Sequence, residues 1–526
     1  MQKVAKRRIL LSFLAGAMLL TAACGSDTRQ ASNAGKDEIT ISAGVNLVAG
    51  KFDPTGGYGV WAPDIFHCHI LKVGKDNKLV NDLAVAEKIS ADGLVYEYQL
   101  NKNAKFADGK PLTAKDVVFT FTTAMNKASA ADLTMVAKVE AKDEHTVAFT
   151  LKKPWSTFPF TLSEVGIVAE HGYKQGYGDN PLCSGPWKIV EFHKDQQLIL
   201  APNEYYYGKK PNFKKVTILK LDEDAALAAA KSGKLDLVLV DSEFAKTDVK
   251  DMQIKKLRAI DAFAVNLPVI GPGTDEKGKP AGNAVTSDPA IRKALNIGID
   301  RKKIIENALS GYGEPAYAAI DALPWSNGHK FEDNKVAEAK KILADAGWRD
   351  TNGNGIVDKN GVEAEFTVTG RSNDQARYNT VVALAENAKE LGIKIVPKSA
   401  PWSECRVARA TPTCWVFGQP NPIEFYRYYD SSQISKNIIG NNASYTNAEV
   451  DAVIAQALNA KDREEANKLW KKGQDIAQQD VPYLWLCYPD LTYFVKTGLQ
   501  IPDLQKIPTR GQGISIVENM NEWSWK

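Results

Sequence analysis

Cysteine is scarce in this 526-residue chain, with six in all. Cys24 stands apart near the N-terminus, which leaves Cys68, Cys183, Cys405, Cys414 and Cys487. Five is an odd number, so at least one thiol stays unpaired within a monomer. Cys405 and Cys414 are close enough in sequence to bridge, and the spacing fits a bridged or a reduced pair. No C-x-x-C spacing occurs, which removes the common zinc framework. Catalytic signatures are missing as well. There is no G-x-S-x-G elbow, no H-E-x-x-H and no G-x-G-x-x-G. "GTDEKGKP" at 273–280 approaches a phosphate loop, but Pro280 stands where a Ser or Thr would meet magnesium, so it reads as a surface loop. His67 and His69 in "FHCHI" would share one side of a strand and are weak candidates for a transition-metal pair; the other four histidines form no triad. The absences argue against an enzyme and imply no cofactor. Charge of one sign is lacking too: 66 Lys and Arg face 63 Asp and Glu with no basic stripe, which argues against nucleic acid.

Long apolar runs are absent except at the start. Lys3, Lys6, Arg7 and Arg8 precede an apolar stretch from Ile9 to Leu20, and Ala22 and Ala23 lead to Cys24. This pattern is an export signal too short for a settled membrane span, which needs about 20 residues. "LLTAAC" resembles the bacterial lipoprotein signal, with Thr21 where that motif more often has Leu. Residues 1–23 are therefore expected to be removed and Cys24 lipidated. The polar run 24–38 reads as a flexible tether. Removal takes four basic and no acidic residues, so the formal charge moves from +3 to −1. The remaining chain exceeds what one hydrophobic core normally serves, so at least two lobes are expected.

What the chain does contain is a series of strand, turn and helix units. "LVYEYQL" at 94–100 alternates as a strand with Tyr96, Tyr98 and Leu100 on one face. A helix is expected to start at Thr113, with Asp116 in its first turn and Leu112 stapled to Val117. "RDTNGNGIVDKNG" at 349–361 offers oxygen ligands at calcium-loop positions through Asp350, Asn352, Asn354 and Asp358. Gly361 replaces the closing Glu, a helix ending at Gly347 precedes it and the strand-like "EAEFTVTG" follows. A polar helix-to-strand turn is the expected reading.

The run "YEYQLNKNAKFADGKPLTAKDVVFTF" resembles the hallmark segment of the extracellular solute-binding proteins of family 5, the oligopeptide-, dipeptide- and nickel-binding components of ABC importers. "NPLCSGPWKIVEF", "PNEYYYGKKP", "DPAIRKALNIGIDRKKI", "AKKILADAGW" and "YTNAEVDAVIAQA" follow in the family's order, so the resemblance covers about residue 39 to the end. It implies a two-lobed α/β clamshell of the periplasmic-binding-protein kind, type II-like. Lobe 1 would span 39–265 plus 500–526, with an inserted subdomain near 60–178, and lobe 2 would span 266–499. "AFAVNLP" around 262–268 is the expected hinge crossing. The implied function is capture of a small solute in the cleft and delivery to a membrane permease, by a monomeric lipoprotein at the outer face of the cell membrane or in the periplasm. Peptide is the leading solute, a nickel or other metal chelate the alternative; a sensory lipoprotein that feeds no importer is a further reading.

The resemblance also nominates site residues. Trp415, Phe417 and Gly418 would lie in or beside the ligand, Arg406 and Arg409 could pair a carboxylate, and Tyr58 and Trp61 could form the opposite wall. Tyr426, Tyr428 and Tyr429 fit a core as well as a site. In the family's peptide binders an Asp after the cleft tryptophan pairs with the ligand ammonium; here that position is Gly418, and Glu404 or Glu424 could substitute.

Overall fold

A computed structural model describes residues 36–43, 52–56, 65–74, 76–127, 129, 131–318, 321, 323–405, 411–436, 440–503 and 514–526. Cys24, Tyr58, Trp61, Arg406 and Arg409 lie outside the described residues.

The chain enters through β1 (Glu38–Ser42) and then leaves for a four-stranded antiparallel sheet. That sheet is built of β2 (Ala84–Ile89), β3 (Val95–Leu100), β4 (Val136–Asp143) and β5 (Thr146–Leu151), in the order β2-β3-β5-β4. Tyr96, Tyr98 and Leu100 are buried on one face of β3, as the alternation predicts. Helix α1 (Ala114–Met125) covers that face. Its start follows the sequence: the Asp116 carboxylate accepts from the Thr113 backbone N–H at 2.9 Å, closing a capping box. Leu112, Val117 and Phe121 are fully buried, and Phe121 meets Phe149 edge-to-face at 4.9 Å. Each such side chain contributes roughly 1.5–3 kcal/mol by leaving water.

The chain returns through β6 (Trp187–His193), β7 (Gln197–Pro202), β8 (Lys215–Leu219), helix α2 (Glu223–Lys231), β9 (Leu237–Val240) and β10 (Met252–Arg258). β11 (Ala262–Asn266), fully buried, comes next and lies within the expected hinge crossing. Helices α3 (Pro289–Gly298) and α4 (Arg301–Leu309) follow, then β12 (Gly313–Pro315) and helix α5 (Val336–Asp345). Asp288 caps α3 by accepting from Ala290 N–H, with Pro289 at the position that needs no donor.

After α5, Gly347 turns the chain at φ +91°. The segment that resembled a calcium loop is then a tight hairpin, β13 (Asp358–Lys359) against β14 (Val362–Glu363), followed by β15 (Glu365–Arg371). Helix α6 (Gln375–Lys389) carries the chain to β16 (Lys394–Ala400), parallel to β15, and on to β17 (Cys414–Phe417). Helices α7 (Ile423–Tyr429), α8 (Ala448–Asn459) and α9 (Arg463–Ala477) precede β18 (Tyr483–Lys496).

β18 organises the molecule. The main sheet runs β17-β11-β18-β9-β1-β8-β7-β6, with β10 and β12 also paired to β18. Its first half, Tyr483–Cys487, pairs with β11; Asp490–Lys496 pairs with β10 and Thr492–Val495 with β9. One continuous strand thus pairs with both groups of strands, with the first of them from Asp490 onward. The fold is the two-lobed α/β architecture expected from the sequence. The inserted sheet also packs on α7–α9: Tyr96, Phe149, Phe425, Ile454 and Trp470 share one core, and Ser156 N–H donates to Leu458 O at 2.8 Å.

All five described cysteines are free and buried, so Cys405 and Cys414 are a reduced pair. Burial pushes the Cys414 thiol up to about 12.

Candidate functional site

A cleft of about 460 Å³ opens beside the middle of β18, where Pro489 to Thr492 form its floor. One wall is the loop leaving β9, with Asp241 and Glu243; the other includes Val416 of β17 and the start of α6. β9 runs parallel to β1, so this loop sits at the carboxyl end of parallel strands, where ligands bind in open α/β sheets. The volume falls within the ordinary range for small-molecule sites, about 300–1,000 Å³.

Successive side chains of a strand point to opposite faces, and this decides where the nominated residues go. Val416 lines the cleft. Trp415 and Phe417 face the other way and are each 3% exposed. The Trp415 indole N–H donates to Asn266 Oδ1 at 2.9 Å. Phe417 packs edge-to-face on Tyr428, Tyr483 and Trp485 at 4.5, 5.3 and 5.1 Å between ring centres. Gly418 is pressed against backbone: a Cβ there would lie 2.4 Å from the Ile260 carbonyl oxygen. No side chain fits, so an Asp could not stand there without moving the strand approach. Tyr428 and Tyr429 are core residues, while Tyr426 is half-buried. Glu424 is buried and committed to Arg427 and Tyr428, and Glu404 pairs with Lys398 on the surface.

The cleft exposes a group that motif reading passed over. Asp374 caps α6 by accepting from Arg377 N–H at 3.1 Å, and its other oxygen holds Arg377 Nη2 at 2.7 Å. Arg377 is 4% exposed, its guanidinium 5.9 Å from the Phe263 ring centre, and its Nε has no partner. A buried donor left unmade is costly, about 1–3 kcal/mol. Facing it across the cleft, Asp241 N–H donates to Glu223 Oε1 at 2.5 Å. Burial pushes the Glu223 carboxyl up to about 7, and the nearby Asp241 and Glu243 charges act in the same direction. The signals were in the sequence: "NDQAR" places Asp374 and Arg377 three apart at a helix start, and "LVLVDSE" puts two acids just past a buried strand.

On the other side of the 416–420 segment a smaller cavity of about 170 Å³ is lined by Gln419, Pro420, His67, His69, Asp82 and Glu164 among others. His67 and His69 are buried just before a strand at Leu71–Val73 rather than within it. His67 Nε2 lies 3.2 Å from the Tyr177 hydroxyl, and His69 N–H donates to Asp82 Oδ2 at 2.8 Å. Among the described residues no group of three or more His, Cys, Asp or Glu is placed to hold a metal ion.

Over residues 78–437 the chain matches the family described as bacterial extracellular solute-binding proteins, family 5 Middle. The oligopeptide-binding protein AppA of Bacillus subtilis (strain 168) is 29% identical over 521 residues, covering 92% of this chain and 93% of that protein. The probable D,D-dipeptide-binding periplasmic protein DdpA of Escherichia coli (strain K12) is 28% identical over 427 residues, 77% and 78% of the two chains. Among solved structures, AppA from Bacillus subtilis in complex with a nonapeptide matches with a TM-score of 0.69 at 25% identity, covering 93% of this chain and 99% of that one. NikZ from Campylobacter jejuni in complex with Ni(L-His) has the same fold, with a TM-score of 0.75 at 24% identity and the same coverage. With its motifs in order, its two-lobed sheet and a family match spanning more than half its length, the chain belongs to the bacterial extracellular solute-binding proteins of family 5.

Proposed function

We propose that this protein is the substrate-binding component of an ABC importer and that its solute is a peptide. The observation that carries this reading is the cleft beside β18, walled on one side by the loop after β9 and on the other by β17 and α6. The similarity to an oligopeptide-binding protein over 92% of the chain supports the choice of solute. Function then follows from mechanics. A ligand touching both walls stabilises the closed form over the open one, and the permease distinguishes the two. Selective stabilisation requires only differential contact, so no bond in the ligand is made or broken and the protein is not an enzyme.

In this reading Cys24, lipidated after removal of residues 1–23, holds a monomeric body at the membrane surface beside its permease. The ligand-lining roles of Tyr58, Trp61, Arg406 and Arg409 belong to the same proposal, while Trp415, Phe417 and Gly418 stand beside the site as the packed backing of the strand that presents Val416. A metal chelate is the second reading, favoured by His67 and His69 on the wall of the smaller cavity. Calorimetry on ligand-stripped protein separates the two. A mixed peptide pool is expected to bind and nickel with free histidine to give no heat; the reverse result would replace peptide by chelate.

A further inference from the structure

Two strands cross the middle of the molecule side by side. β10 and β11 pair with successive stretches of β18, the first with Asp490–Lys496 and the second with Tyr483–Cys487, so 252–266 and 483–496 form one antiparallel ribbon. Its ladder is irregular midway. Between the Arg258–Asp490 pair and the Phe263–Cys487 pair one strand advances five residues and the other three. Extra residues on one strand bend it and disrupt the ladder. Pro489 stands in that stretch with no N–H to give, and its carbonyl accepts from Ala259 N–H at 2.9 Å. Hinges between lobes lie at a few such residues that absorb the backbone change. Pro489 also lines the cleft, so bending here opens or closes it.

A cluster of charge spans the same point on the face away from Pro489. Side chains alternate along β18, which turns Tyr488 to that face. The Arg258 guanidinium lies over the Tyr488 ring, 3.9 Å from its centre. From there its Nη2 donates to Asp321 Oδ1 at 2.5 Å, and its Nε stands 3.4 Å from Glu314 Oε2. Lys256, two residues earlier in β10, stands over the Tyr312 ring at 5.7 Å. The anions belong to the far side of the hinge. Glu314 is in β12, and the next residues are fastened there: Ala316 N–H donates to Leu486 O, and Ala316 O accepts from Arg301 Nε of α4. The Arg258 and Asp321 side chains are 14% and 9% exposed, so salt screens this charge-assisted bond little. None of Arg258, Tyr488, Glu314 and Asp321 is among the described residues that line the cleft.

We infer that Arg258 and Asp321 form a clasp across the back of the hinge, which holds the lobes apart until a ligand arrives. A bond behind a hinge lengthens as the front closes, so closing the cleft pulls the pair apart. Closure then requires a ligand whose contacts with both walls outweigh the clasp. The empty protein stays open, and the permease meets the closed form only when it is loaded. The inference rests on the peptide reading above for its ligand, but not for the motion.

The test joins small-angle X-ray scattering to calorimetry on ligand-stripped wild type, Arg258→Met and Asp321→Asn, with a pool of random pentapeptides as the probe. Met keeps an apolar stem on Tyr488 and Asn keeps the shape of Asp, so each variant removes the charge pair with little change in packing. The ligand-free variants are expected to have a smaller radius of gyration than the ligand-free wild type. Because apparent affinity rises with the fraction already competent to bind, they are expected to bind the pool about threefold or more tightly. Lys303→Met, which breaks the exposed Lys303–Glu390 pair, should move neither reading. A ligand-free radius at or above the wild-type value in either variant that folds, an affinity that stays or falls, or an equal shift in Lys303→Met would overturn the clasp. If the wild type binds no peptide, the peptide reading fails, while ligand-free scattering still decides the clasp.

Discussion

At Gly418 a side chain has nowhere to go. A Cβ would sit 2.4 Å from the Ile260 carbonyl oxygen and 2.9 Å from the Asp261 Cα, both backbone atoms that yield only if the strand approach shifts. Gly418→Ala is therefore expected to cost about 1–3 kcal/mol, read as a lower denaturation midpoint; an unchanged midpoint would mean that the approach is looser than described. Glu223 makes a different kind of prediction. Burial first, then the Asp241 and Glu243 charges, raise its carboxyl from the ordinary 4.5 to about 7 in the folded protein. A carboxyl that holds its proton more tightly when folded favours the folded state while protonated and loses that advantage as pH rises from about 4.5 to 7. The wild type should lose more melting temperature between those pH values than Glu223→Gln, whose amide does not titrate. Parallel pH profiles for the two proteins would show that Glu223 titrates normally.

At the scale of elements, sequence and structure agree where the determinants are local. The capping box at Thr113 and the alternation of β3 depend on residues within a turn or two of each other, and both are present as read. The 349–361 segment is of the same kind. Asn360 and Gly361 have φ of +53° and +79°, as a two-residue hairpin turn demands. Asp350 accepts from Gly353 and Gly355 N–H at 2.7 and 2.9 Å, and Asp358 Oδ2 accepts from the Thr351 N–H and hydroxyl at 2.9 and 2.7 Å. These carboxylates organise the turn themselves. A chelator is therefore expected to leave the melting temperature unchanged; a drop of several degrees would show that calcium binds the native state. Where the determinants are not local, the sequence says less. Trp415 has the character of a cleft wall, but strand alternation and the Asn266 acceptor turn it into the core, and Val416 takes the cleft face.

At the scale of the whole molecule, the cleft is assembled from residues near 241, 261, 307, 374, 416 and 490, brought together only because β18 pairs with strands from both parts of the chain. No window of sequence holds more than a few of them, so their family was legible and their juxtaposition was not. Arg377 acquires its place only through Asp374, Phe263 and the cleft around it. The central claim is that this cleft carries a peptide. Native mass spectrometry of protein purified without unfolding tests it most directly, followed by fragmentation of whatever is released. A bound mass that resolves into peptide sequence, lost on unfolding and restored by adding a peptide pool to stripped protein, is the predicted result. Release of a metal–histidine complex in its place, or stripped protein that stays empty in millimolar peptide, would contradict it.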